Sequence, residues 1–180
     1  MKKSLLAVAS AITILAGGPV SAQTSMNGPY YANPSWDQQL PAAQRFIVLS
    51  NWNNDAVLDR ETGLVWQRQP LTPTLDWATA LENCRKTLIG NRRGWRLPSY
   101  EELTSLLDGT QSSPALPAGH PFLGIGTTDQ FWTASQEEGD SGNAWFVESF
   151  DATTWIVAPK TFTLRFWCVR GGSATSNPPY

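Results

Sequence analysis

Hydrophobic and polar positions follow two different periods along this chain, and the change of period separates predicted strands from predicted helices. The apolar run Phe46-Ile47-Val48-Leu49 predicts a short strand. Two further runs, residues 56–59 and 64–67, flank the turn Arg60-Glu61-Thr62-Gly63. Gly63 can adopt the positive φ that a tight turn requires, so these two runs predict a β-hairpin.

A helical period begins after Asp76, which is the predicted N-cap. Apolar positions then recur at the spacing of one helix face, at Trp77, Ala80, Leu81, Cys84 and Leu88. Gly90 is the predicted C-terminal stop of this first helix. The pattern therefore points Cys84 inward.

The run Gly94-Trp95-Arg96-Leu97-Pro98-Ser99 predicts a brief strand that stops at a proline and turns directly into a second helix. Ser99 and Glu102 have the spacing of a capping box, in which each side chain accepts a hydrogen bond from the other residue's backbone N–H. We expect the helix over residues 100–108, ended by Gly109. Its buried face comprises Leu103, Leu106 and Leu107.

Residues 109–130 follow neither period and contain three prolines and four glycines, which indicates a long loop of the kind that often carries function. Four strands are predicted after it, at residues 131–134, 144–150, 154–157 and 161–169. In the last strand, alternation places Phe162, Leu164, Phe166 and Cys168 on the inward face, and Thr163, Arg165 and Trp167 on the other.

The first 22 residues are typical of a secretory signal peptide. Lys2 and Lys3 precede the apolar stretch at residues 5–15, which is too short to span a bilayer, and Val20-Ser21-Ala22 provides small residues for cleavage. We expect an extended arm at residues 23–44, one domain at 45–172 and a flexible tail at 173–180. The pattern predicts a soluble periplasmic or secreted protein with no membrane insertion after signal removal.

Charge and composition narrow the partner classes. The chain has 13 Lys and Arg against 15 Asp and Glu, and loss of Lys2 and Lys3 with the signal peptide leaves a net charge of about −4. This balance argues against nucleic acid as a partner. Nine tryptophans provide enough aromatic surface for a compact core, and those outside the core are available to stack on a ligand.

The two cysteines, Cys84 and Cys168, both lie on predicted inward faces of an exported chain. This placement argues for a disulfide between the first helix and the last strand, with two buried free thiols as the alternative.

The ordered set of motifs resembles a known family. These motifs are Asp59-Arg60-Glu61-Thr62-Gly63-Leu64-Val65-Trp66, the helix with Cys84, Gly94-Trp95-Arg96-Leu97-Pro98-Ser99 with Glu102-Leu103, Phe131-Trp132-Thr133-Ala134-Ser135, Trp145 and Cys168-Val169-Arg170-Gly171. They are similar to the DUF1566 family, also called the Lcl C-terminal domain. The resemblance implies an α+β, C-type-lectin-like fold, distantly similar to formylglycine-generating enzymes, with two helices on twisted antiparallel sheets and a helix-to-last-strand disulfide. The best-known member is an adhesin, which implies glycan binding.

The residues argue against catalysis, metals and cofactors. Trp52-Asn53-Asn54-Asp55 resembles part of a lectin calcium motif, but it precedes the first helix, and we interpret it as a turn. His120 is the only histidine and has no second imidazole or free thiol as a partner for a metal or nucleophile site. The sequence therefore predicts no metal, no cofactor and no enzymatic activity, although carboxylates brought together by folding remain an alternative.

Recognition is the function class that remains. The candidate ligand-binding residues, which lie on or beside the late strands, are Trp132, Trp145, Trp155, Arg165 and Trp167. Arg165 and Trp167 share a predicted face and would hold a carboxylated or sulfated glycan, or else form an internal cation–π pair. The basic cluster Arg85-Lys86 with Arg92-Arg93 is interpreted as a solvated rim rather than a polyanion site. The leading hypothesis is a non-catalytic, glycan-binding or adhesive module; the rival is an assembly subunit that docks on another exported or surface protein.

Overall fold

Two β-sheets and three short helices make up the computed structural model, which describes residues 40–150 and 156–172. The predicted signal peptide, the predicted tail and residues 23–39 of the predicted arm lie outside the described residues. The helices are α1 (Ala42–Arg45), α2 (Trp77–Lys86) and α3 (Tyr100–Thr104), and a 3-10 turn covers Ser50–Trp52. None of the described helices is long and apolar enough to cross a membrane.

The first sheet has the order β1-β2-β3-β9 and is antiparallel throughout. Its strands are β1 (Phe46–Val48), β2 (Ala56–Asp59), β3 (Val65–Gln67) and β9 (Val169–Arg170). The predicted strand at residue 46 and the predicted hairpin are both confirmed, and Gly63 has a φ of 69° in the turn.

The second sheet has the order β4-β8-β5-β6-β7. Its strands are β4 (Leu71–Leu75), β5 (Gln130–Gln136), β6 (Asn143–Glu148), β7 (Ile156–Pro159) and β8 (Leu164–Phe166). Strands β5 and β8 run parallel, so this sheet is mixed, and the expectation of purely antiparallel sheets is wrong. The α+β class is confirmed.

The predicted last strand is in fact two strands in different sheets. Residues 164–166 pair with β4 and β5, whereas residues 169–170 pair with β3. Trp167 and Cys168 lie at the crossing and are both buried. Phe162, expected to face inward, lies in a turn before β8, where its N–H donates to the Pro159 carbonyl and its ring is exposed.

Helix α2 begins as predicted, but it ends earlier. The Asp76 side chain accepts from the Thr79 N–H at 3.0 Å, which is the predicted N-cap. The helix ends at Lys86, because Thr87 takes an extended ψ of 153°. Gly90 then packs so closely that an added Cβ would lie 2.6 Å from the Trp52 Cβ. The chain leaves the helix path at Thr87, and Leu88 is exposed rather than buried.

Helix α3 follows a capping box that has both predicted hydrogen bonds, between Ser99 and Glu102. It ends at Thr104 rather than Asp108, and the chain continues through tighter turns that still bury Leu106 and Leu107. The predicted strand before Pro98 is only a single bridge, between Arg96 and Val169.

Two contiguous clusters of buried side chains form the core. The first is centred on Trp66, Trp167, Phe131 and the leucines in and just after α3, and the second on Trp95, Trp132 and Phe166. The second cluster contains the predicted disulfide, which is confirmed: Cys84 and Cys168 are bonded, fully buried, with Cα atoms 5.5 Å apart. This bond joins α2 to the crossing between the two sheets.

Candidate functional site

Two of the predicted ligand-binding tryptophans are core residues. Trp132 and Trp167 are 0% and 2% exposed. The Trp132 Nε1–H donates to the Leu75 carbonyl at 3.0 Å, and the Trp167 Nε1–H donates to the Gln67 carbonyl at 2.6 Å. Both polar edges are therefore satisfied internally, and neither ring presents a face to solvent. The expectation that they stack on a ligand is corrected.

The other predicted tryptophans lie elsewhere. Trp145 on β6 is partly buried and packs against Tyr100, with ring centroids 5.5 Å apart. Trp155 lies outside the described residues.

Arg165 does not pair with Trp167. Its guanidinium forms an ion pair with Asp129, donates to the Gly124 carbonyl at 2.9 Å and lies over the Phe131 ring at 5.2 Å. Arg165 therefore makes an internal cation–π contact, but with Phe131, and the expected pair with Trp167 is wrong. The Asp129 carboxylate neutralises Arg165. The arginine therefore holds the long loop in place and does not present an unpaired charge to a ligand.

The basic cluster predicted after α2 is divided in the structure. Lys86 pairs with Glu82 at 2.6 Å on the exposed helix surface. Arg92 instead lies over the Trp52 ring, and Arg170 from β9 lies over the same ring, each at 5.3 Å. Trp52 is held from a third side by the edge of Trp95. Arg92 and Arg170 thus form a rim around Trp52, and the four residues of the predicted basic cluster are all exposed.

An open groove of about 310 Å³ lies beside this rim, and we call it the amide groove. Three segments line it: the turn Asn53-Asn54-Asp55, residues 67–69 at the end of β3, and residues 88–89 after α2. Leu123 from the long loop completes the lining. The lining residues are Asn53, Asn54, Asp55, Gln67, Arg68, Gln69, Leu88, Ile89 and Leu123.

Arg68 holds the segments together. Its N–H donates to the Asp55 carbonyl at 2.8 Å, and its own carbonyl accepts from the Leu123 N–H at 2.9 Å. Its side chain donates to the Pro121 carbonyl at 3.2 Å and to the Asn54 carbonyl at 3.4 Å. One residue thus ties the turn, the β3 end and the long loop, which gives the groove a defined shape.

The turn Asn53-Asn54 adopts an uncommon backbone. Both residues are in the left-handed region, with φ of 57° and 59°, which asparagine tolerates better than most other residues. The interpretation of Trp52-Asn53-Asn54-Asp55 as a turn is confirmed. The turn exposes two asparagine side chains at the groove.

Gln67 is the unusual residue of the amide groove. It is 5% exposed, and its Oε1 is buried without a hydrogen-bond partner in the described part of the chain. Its backbone is fully engaged, since the N–H donates to the Cys168 carbonyl at 3.0 Å and the carbonyl accepts from Trp167. A buried acceptor without a donor costs free energy, so such a group often marks a place where a ligand supplies the partner.

The groove has little chemistry beyond hydrogen bonding. Its ionisable side chains are Asp55 and Arg68. No group of histidines, cysteines and carboxylates suited to a metal occurs among the described residues. His120 lies away from the groove lining, stacked on Phe122, and burial lowers its pKa below the ordinary value.

A second cavity, under α3, measures about 10 Å³, which is room for about one water molecule. It is a packing gap in the first core cluster, lined mainly by Leu103, Leu106, Leu107 and Trp167. The amide groove is therefore the better candidate for a binding site.

Sequence reasoning missed most of the groove. Gln67, Gln69, Leu88 and Leu123 come from three segments that meet only in the fold. The signal that was present is the polar run Gln67-Arg68-Gln69 at the end of a strand, close to the noted asparagine turn in the folded chain.

The matches to known proteins concern the family rather than the ligand. No curated protein matches the chain at a significant level. The family model of the Lcl C-terminal domain matches residues 55–170, which include both cysteines, the capping box and all nine groove residues except Asn53 and Asn54. The chain therefore belongs to the Lcl C-terminal domain family.

Proposed function

We propose that this protein is a non-catalytic extracytoplasmic binding module and that the amide groove binds a saccharide. The observation that carries the proposal is the lining of the groove: four side-chain amides, one of them with an unpaired buried acceptor, between exposed leucines.

Saccharide chemistry matches this lining. A sugar hydroxyl both donates and accepts hydrogen bonds, as does a carboxamide side chain. Asn53, Asn54 and Gln69 can therefore each donate a hydrogen bond to one hydroxyl and accept one from another. Leu88 and Leu123 are 56% and 45% exposed, and their methyl groups can cover the C–H face of a ring. The groove volume of about 310 Å³ lies at the small end of ligand sites, which suits one part of a glycan.

The ionisable groups of the groove favour binding over catalysis. Asp55 is its one carboxylate among the described residues, whereas most glycoside hydrolases use a pair of carboxylates. In the same part of the chain, the groove lining contains no Cys, Ser or His to act as nucleophile or base.

The location and the finer fold assignment are part of the same proposal. The signal-peptide pattern and the buried disulfide support an oxidising compartment, the periplasm or the exterior. A disulfide from α2 to the crossing just before β9, in a domain with two sheets, supports a C-type-lectin-like architecture.

An assembly role is the rival candidate, and the exposed Leu88 and Leu123 favour it. Side chains of this type can dock on another exported or surface protein as well as on a sugar. Substitution of the groove amides distinguishes the two functions. It should weaken saccharide binding, which depends on the amides and the leucines, but not protein docking, which depends on the leucines.

Glycan-array screening of the mature domain tests the proposal, followed by calorimetric titration of any saccharide that binds. We expect Gln69→Ala and Asn54→Gly to weaken that binding about tenfold, as the loss of one or two hydrogen bonds implies. Glycine at position 54 retains the left-handed backbone. Gln111→Ala, outside the groove, is the matched control. Absence of binding to every saccharide would defeat the proposal, and equal binding by all variants would move the site elsewhere.

A further inference from the structure

The unpaired side-chain oxygen of Gln67 indicates which class of saccharide the groove prefers. Its backbone is fixed by Cys168 and Trp167, and its Oε1 is buried without a partner among the described residues. The side chain is also 5% exposed, which restricts its movement, so a bound ligand is the group that can supply the missing hydrogen-bond donor.

The residue next to Gln67 offers the opposite polarity. Arg68 donates to the Pro121 and Asn54 carbonyls, and no carboxylate forms an ion pair with it in the described part of the chain. A guanidinium has more N–H groups than these two bonds use. The groove lining thus contains an acceptor on Gln67 and donors on Arg68.

Apolar surface completes the set. Ile89 is buried and Leu88 is exposed in the segment after α2, and Leu123 lies at the long loop, all three in the groove lining. The groove therefore combines an acceptor, donors and aliphatic carbon within about 310 Å³.

We propose that the amide groove selects saccharides that carry an acetamido group, and that this group is bound at Gln67 and Arg68 against the aliphatic side chains. An acetamido group has an N–H donor, a carbonyl acceptor and a methyl group. Its N–H can donate to the unpaired Gln67 Oε1 while its carbonyl accepts from Arg68, which a single hydroxyl does less fully. This inference rests on the proposed saccharide-binding function and names the class of sugar.

The test compares three probes on the mature protein by calorimetric titration: tri-N-acetylchitotriose, cellotriose and the deacetylated chitotriose. Their chains have the same length and linkage and differ at the position that carries the acetamido group. We expect the acetylated trimer to bind at least about tenfold more tightly than either of the others, as one buried amide pair implies.

Gln67→Leu is the decisive variant. It removes the unpaired acceptor and keeps a side chain of similar bulk, so the midpoint of urea unfolding is expected to stay or rise. The same variant is expected to bind the acetylated trimer about tenfold more weakly and to lose the preference for it. Gln111→Leu provides the control outside the groove and is expected to leave the preference unchanged.

The outcomes separate the two proposals. Equal binding of tri-N-acetylchitotriose and cellotriose, with both weakened by Gln69→Ala, would overturn the acetamido inference and leave saccharide binding in place. A preference for the acetylated trimer that Gln67→Leu retains would also overturn the inference. No binding of these trimers or of any saccharide on the array would remove the proposed function itself.

Discussion

Arg96 and Glu102 form a two-bond ion pair across the corner where the chain turns from the Pro98 bend into α3. The Nη1–Oε2 and Nη2–Oε1 distances are both 2.6 Å. The same Glu102 carboxylate accepts from the Ser99 N–H at 2.8 Å, and Arg96 also donates to the Gly171 carbonyl at 2.9 Å. This ion pair thus connects a helix cap, a bend and the segment that follows β9.

Glu102→Gln is expected to lower the free energy of unfolding by about 2 kcal/mol, because it removes the charge from two hydrogen bonds and leaves a partly buried guanidinium without its partner. Urea denaturation followed by circular dichroism measures the change. Glu101→Gln is the matched control, since Glu101 is its exposed neighbour, and it is expected to change stability by less than about 0.5 kcal/mol. Equal effects of the two substitutions would mean that the ion pair contributes nothing.

Removal of the disulfide by Cys84→Ala with Cys168→Ala is expected to destabilise the domain by about 4 kcal/mol. The bond closes a loop with a sequence separation of 84, and the cost comes mainly from the added freedom of the unfolded chain. Thermal unfolding of the oxidised, the reduced and the substituted protein measures it. Reduced and substituted proteins that unfold at the oxidised midpoint would contradict the expectation.

Local signals predicted the parts of the fold that depend on neighbours in sequence. The capping box at Ser99, the hairpin turn at Gly63 and the N-cap at Asp76 each need only a few adjacent residues, and all three are confirmed. The disulfide was also predictable, because inward-facing periodicity and an export signal pointed to the same two cysteines.

The remaining parts depend on contacts between distant segments. Strand β4 was missed because Pro73 argues against a strand, and its position at the edge of the second sheet explains why the proline is tolerated. Leu88 continues the helical spacing, but the chain leaves the helix at Thr87, and Leu88 lies in the groove lining. The amphipathic pattern alone does not predict the residue at which the chain leaves the helix.

Trp167→Ala is expected to lower the free energy of unfolding by about 3–5 kcal/mol, since it empties the centre of the first core cluster. The ring contacts Trp66, Phe122 and Phe131, with centroids 4.9–5.7 Å apart. Phe162→Ala is the control, because Phe162 is exposed, and it should change stability by about 0.5 kcal/mol or less. Urea unfolding measures both variants. A Trp167→Ala protein of normal stability would show that the ring is not part of the core.

His120 is expected to make the stability fall at mildly acidic pH. Its ring stacks on Phe122, its Nδ1 is buried without a partner in the described residues, and burial lowers its pKa from 6.5. Below about pH 6.5 the unfolded chain binds a proton at this histidine that the folded chain binds only at lower pH. The folded state therefore loses stability as the pH falls from 6.5 towards the lowered pKa, and the penalty is absent above 6.5.

His120→Phe retains the stacked ring and removes the titration, so it isolates this effect. We expect the variant to have the same stability as the wild type at pH 8, or a higher one, and a smaller loss between pH 7 and pH 5, because only the wild type then has a histidine that protonates on unfolding. Urea unfolding across this range measures the difference, and carboxylates cancel because both proteins contain the same ones. Parallel pH profiles would mean that the folded chain protonates His120 as readily as the unfolded chain does, which its buried position opposes.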